Sequence, residues 1–190
     1  MDIRDLMNML GNKDMVEGIS KKAGADTDQV GKLINMGLPT IMNAMKGNAS
    51  SDKGAESLLN ALRQHQDDDV EEMVKNPSKI NMEDGEKILG HILSSKKDVV
   101  KNNLAKETGL KDDQVNNVLS QLAPLLMGTL GQQQKKSNVD TNNVSNLITD
   151  ALGKSAKGGM MDLAEKFLDA DKDGSIVDDV GKLMGKFFKK

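Results

Sequence analysis

The residues whose types and spacing could do chemistry lie near the C-terminus, in DADKDGSIVDD, residues 169–179. Asp169, Asp171 and Asp173 take positions one, three and five of an EF-hand-like loop, and Gly174 takes position six. Ser175, at position seven, would offer its backbone carbonyl. Hard Ca²⁺ takes six to eight oxygen ligands, and a glycine at the sixth position permits the sharp turn that makes them converge. Position twelve departs from the pattern: Val180 stands where a bidentate Glu belongs. Asp178 and Asp179 could close a shortened loop instead. The expected metal ligands are therefore Asp169, Asp171, Asp173, Ser175, Asp178 and Asp179, with Ca²⁺ as the cofactor and weak affinity. The plainer reading is an Asp-rich turn whose last two carboxylates cap the following helix.

Two histidines, His65 and His91, complete the set of candidate groups. His65 ends an apolar helical pattern and precedes Asp67, Asp68 and Asp69, so a His–carboxylate pair or a transition-metal site joining both histidines is conceivable. The reading preferred here is structural: a His at a helix C-terminus and a partly buried His making one hydrogen bond. The chain has no Cys and no Tyr, which removes thiol chemistry and disulfides. GADTDQVGK, from Gly24, lacks the spacing and the Ser/Thr of a phosphate loop, and no GxSxG or HExxH occurs. No enzyme activity is expected.

These groups must be positioned by helices, because apolar residues recur at helical spacing and no stretch alternates at period two. With 13 Met, three Phe and no Trp, the core must be aliphatic and thioether, soft and adaptable. The organising feature is a duplication. Residues 19–45 align without a gap onto residues 104–130, with Lys21/Lys106, Gly24/Gly109, Asp28/Asp113, Gln29/Gln114, Val30/Val115, Pro39/Pro124 and Met42/Met127 identical. In each copy a helix ends at the glycine and an amphipathic helix follows. Asp26 and Gln29 have capping-box spacing. Each proline should kink or break its helix, near Gly37 and Leu38 in the first copy. Residues 46–56 and 131–143 read as loops. The divisions expected are a first helical repeat at 1–65, an acidic connector at 66–82, a second repeat at 83–153, and a helix–loop–helix at 154–190.

The glycine and the valine six residues on match a helix-turn-helix pattern. The chemistry for reading DNA does not accompany it: the second helix starts with Asp28, Gln29 and Lys32 in one copy and with Asp112, Asp113, Gln114, Asn116 and Asn117 in the other. Phosphate contact draws mainly on Lys and Arg. A helical hairpin with tight-turn geometry is preferred, and a nucleic-acid-binding protein is the alternative. The final helix, with Val180, Leu183, Met184, Phe187 and Phe188 beside four lysines, could touch anionic membrane but more simply packs on the body.

GADTDQV with its following LP, the second copy GLKDDQV and APLLMGTL, ALRQHQDDDVEEM, and DGEKILGHIL together resemble the YidB-like bacterial proteins, domain of unknown function 937. DKDGSIVDDV is similar to the tail of many members. The resemblance implies an all-helical fold with a homeodomain-like arrangement of helices, and implies no activity.

The charge is nearly balanced, 26 basic against 29 acidic residues, so no global footprint for nucleic acid exists. No window approaches the roughly 20 apolar residues of a membrane span, and no signal peptide is evident at the N-terminus. The sequence thus describes an all-α, cytoplasmic, non-enzymatic interaction or scaffolding protein with a weak Ca²⁺ loop. Its partner would be a protein, and its oligomeric state is open.

Overall fold

The computed structural model describes residues 2–155 and 167–168. They are helical, with no strand among them: α1 (Ile3–Leu10), α2 (Lys13–Ala23), α3 (Thr27–Asn48), α4 (Asp52–Gln64), α5 (Val70–Lys75), α6 (Met82–Leu93), α7 (Lys97–Thr108), α8 (Asp112–Ser137) and α9 (Val144–Ser155). Short 3-10 turns at Pro77–Lys79 and Ser94–Lys96 precede α6 and α7.

Local chemistry sets the boundaries. Asp2, Asn12, Asp26, Ser51, Asp69 and Asn81 each accept a hydrogen bond from a first-turn backbone amide and so start a helix. Gly24 and Gly109 end α2 and α7 in the left-handed region, at φ of +60° and +75°, where a Cβ would clash and glycine does not.

Helix α8 is the axis of the molecule. Every residue from Val118 through Gly131 is buried. A helix buried on all sides belongs in an interior rather than on a surface, and α8 packs against each of the other eight α-helices. Helix α3 is the second long element. It crosses α8 where Gly37 meets Leu119, so closely that a Cβ on the glycine would stand 2.8 Å from Leu119 Cδ2. Helices α6, α4 and α1 lean on α8, α9 leans chiefly on α3, and α2 and α7 touch both. The core is aliphatic, with Ile3, Leu6, Ile19, Leu33, Ile41, Leu62, Leu89 and Leu104 fully enclosed.

Three features differ from expectation. Helices α3 and α8 each run through their proline, Pro39 and Pro124, so of the expected kink or break it is the break that does not occur. Both prolines are buried in the packed centre, and tertiary packing outweighs the lost hydrogen bond of an interior proline. The segment 131–143 is not a loop throughout, because α8 continues to Ser137. Gly131 lies against α4, where a Cβ would come within 2.5 Å of Leu62 O, and buried Gln134 donates from Nε2 to Val139 O at 2.9 Å. Likewise, the 46–56 loop shrinks to three residues between α3 and α4.

A very tight approach joins α6 to α8 along their packed faces. A Cβ at Gly85 would stand 1.9 Å from the backbone oxygen of Ser120. Gly85→Ala therefore forces the helices apart and is expected to lower stability by about 3 kcal/mol, read by thermal or denaturant unfolding. Unchanged stability would show that α6 does not rest on α8 at this point.

Candidate functional site

The predicted Ca²⁺ ligands Asp169, Asp171, Asp173, Ser175, Asp178 and Asp179 lie outside the described residues. The chain immediately before them is placed: Phe167 and Leu168 are buried, and Asn103 of α7 donates from Nδ2 to Phe167 O at 3.5 Å.

The histidines separate in character. His65 is the C-terminal cap of α4, and its Nδ1 lies 2.8 Å from Asp68 Oδ2 with the ring half-buried. The structure thus forms the His–carboxylate pair, with Asp68 as the partner. His91 is exposed on α6, which corrects the expectation of a partly buried ring. Its neighbours Ile92 and Leu93 fill the core-facing stripe instead. Among the described residues, no three His, Asp or Glu side chains gather into a group able to hold a metal.

The acidic connector is held by its own charges. Asp67 pairs with Lys135 at 2.5 Å, Asp68 with His65, and Asp69 caps α5 through Glu72 N. Glu72 accepts from Lys79 Nζ at 2.6 Å and from Asn76 Nδ2 at 2.7 Å, and the Lys79 hydrogen bond holds this carboxyl below its ordinary range. On α2, Lys22 donates to the carbonyls of Pro77 and Ile80 at 3.1 and 3.0 Å. Partial burial there pulls the ammonium below its ordinary range, because desolvation disfavours the charged form.

A second polar hub sits between α6, α7 and α8. Glu86 accepts from Lys97 Nζ at 2.7 Å and from Asn116 Nδ2. These partners hold the carboxyl low, the Lys97 hydrogen bond first among them. Sequence reading had no signal for this hub, because its members are 11 and 30 residues from Glu86.

The helix-turn-helix residues turn toward one another. Gln114 at the start of α8 donates from Nε2 to the carbonyl of Gly24. Gln29, its counterpart on α3, lies against Gly109, where a Cβ would stand 2.9 Å from Gln29 Nε2. Gln29 thus does not complete a capping box; Asp26 alone caps α3. Asn116 is engaged by Glu86, and Asn117 Oδ1 accepts from Gln121 Nε2 at 3.0 Å. Gln114, Asn116 and Asn117 are thus partnered within the protein, and α8 is buried throughout from Val118 to Gly131.

A half-open groove of about 340 Å³ lies between the α1–α2 turn and the connector, walled by Met9, Met15, Val74 and Pro77 with Asp14 and Lys75.

The family described as Bacterial protein of unknown function (DUF937) matches residues 5–133. The chain belongs to this family. The resemblance read from GADTDQV, GLKDDQV and DGEKILGHIL points to the same one. In this DUF937 chain the matched segment takes in both glycine turns, the acidic connector, the Glu86 hub and most of α8, and stops short of α9 and the aspartate loop. No curated protein and no solved structure matches the chain. No helix among the described residues is long and apolar enough to cross a membrane.

The Glu86 hub carries a pH dependence of defined sign. A carboxyl held low in the fold is less protonated than in the unfolded chain, so its stabilisation is present above the ordinary Glu range. That stabilisation is lost as pH falls through the folded value. Glu86→Gln is expected to unfold more easily at neutral pH and to lose less stability than the parent below roughly pH 4.5. Parallel denaturant titrations at two pH values measure this; equal acid sensitivity in both proteins would refute it.

Proposed function

We propose that this DUF937 chain is a non-catalytic, cytoplasmic interaction protein whose helical body carries a weak Ca²⁺-binding loop at residues 169–179. The reading rests on Asp-x-Asp-x-Asp-Gly spacing and on one structural observation. The first ligand position, Asp169, directly follows Leu168, which is 2% exposed. The entry to the loop is thereby tied to the body at α7. A cation drawing the loop oxygens together would fix the direction of the chain that leaves it, including the apolar, lysine-bearing segment from Val180 to the end. Metal binding would then alter what surface the protein offers to a protein partner. The missing Glu at position twelve places the affinity between tens of micromolar and millimolar, roughly the range of underliganded sites.

The two glycine turns, at Gly24 and Gly109, and the buried prolines at Pro39 and Pro124 support a duplicated unit with helix-turn-helix-like hairpins. The engagement of Gln114, Asn116 and Asn117 within the body supports a protein partner over nucleic acid. Calorimetric titration with Ca²⁺ is expected to give heat with the parent chain and to lose most of it with Asp171→Ala. Identical traces for the two proteins would remove the Ca²⁺ site.

A further inference from the structure

The division of contacts between the two halves of the chain is unequal. Take the halves to meet between Lys75 and Asn76, both exposed. Within residues 2–75, the substantial helix contacts are only between sequence neighbours: α1 with α2, α2 with α3, and α3 with α4. Helix α5 has none in its own half; it packs on α8 and meets the Pro77–Lys79 turn. The apolar faces of this half are covered instead by the other: α1, α2, α3, α4 and α5 all rest on α8, and α9 lies across α1, α3 and α4. The second half is better provided, since α8 packs on α6, α7 and α9, and α6 on α7.

Hydrogen bonds cross at the same places. Asn48 Nδ2 reaches Ile92 O at 2.9 Å, Gln132 Nε2 reaches Asp68 O at 2.8 Å, and Lys22 holds the two connector carbonyls. Even the connector is exchanged: its first part docks on α8 of the second half, and its second part is clamped by α2 of the first.

We infer that the surface formed by α8 with α6, α7 and α9 is a recognition surface for the first 75 residues, which fold only upon it. A chain of about 75 residues that cannot enclose its own apolar faces does not offset its conformational entropy. The covalent link is therefore dispensable once the two halves have met. It raises their effective concentration and does not hold the contact.

The test uses the full chain with a protease recognition sequence inserted between Lys75 and Asn76. After cleavage in native buffer, light scattering should give one particle of the intact mass with undiminished helicity. Its unfolding midpoint should rise with protein concentration, where that of the uncleaved chain does not. Separation into two folded particles, or two unfolding steps independent of concentration, overturns the inference. Should the insertion itself unfold the uncleaved chain, amide exchange on the parent protein decides. The amides of α3 are expected never to outlast those of α8, and protection of α3 persisting after α8 has exchanged overturns it.

Discussion

A helix wrapped on every side has nowhere to place a polar group except against itself or a designated neighbour, and α8 lives under that constraint. Thr129 and the buried amides of Gln121 and Gln134 show how it is met in part. Thr129 returns a hydrogen bond to Leu125 O at 2.8 Å. Gln121 reaches Asn117 Oδ1 and the carbonyl of Ile19, and Gln134 secures the turn after the helix. The side-chain oxygens of Gln121 and Gln134 stay buried without a partner, a cost that the packing around the helix has to offset. Apart from Ser120 and Pro124, the remainder from Val118 to Gly131 is Leu, Val, Ala, Met and Gly. The small residues fall where other helices come closest, so the composition of α8 records the positions of its neighbours.

The outer elements are arranged by the same logic on a smaller scale. The connector between α4 and α6 has to cross the surface without a broad apolar face of its own. It is pinned by ion pairs and by Lys22, each modest in water but mutually supporting over a short span. Carboxylates that look from the sequence like a ligand cluster thus serve as ties: Asp67 to α8, Asp68 to α4, Asp69 to α5 and Glu72 to the turn at Pro77. A run of acids carries no sign of where its counter-charges come from, and Lys135 lies 68 residues away.

The helical nature of the chain, the glycine turns and the apolar stripes were legible because they follow from local rules of spacing and backbone strain. The His65–carboxylate pair was only a disfavoured alternative in the sequence, and the run Asp67, Asp68, Asp69 did not say which carboxylate turns to the ring; the structure selects Asp68. The far end of α8 was not legible. Gln132, Gln133, Gln134, Lys135 and Lys136 read as polar loop, and only the contact with α4 and the hydrogen bond of Gln134 explain why they stay helical. Continuity through Pro39 and Pro124 was hidden for a related reason: a local penalty was visible and the packing that overrides it was not. The exposure of His91 follows from the stripe of Ile88, Leu89, Ile92 and Leu93, which turns that position of α6 away from the core. Residues 169–179 lie outside the described part of the structure and are read from their spacing alone.

The enclosure of α8 also bears on how this sequence can change over time. On an ordinary amphipathic helix, half the positions drift freely because they face water. Between Val118 and Gly131 there is no such half, and a substitution at any position there is tested at once by a different neighbouring helix. Variation in the molecule is thereby channelled outward, into the exposed faces of α7 and α9 and the turns between helices. New binding properties can arise in those places without disturbing the axis on which the remaining helices depend.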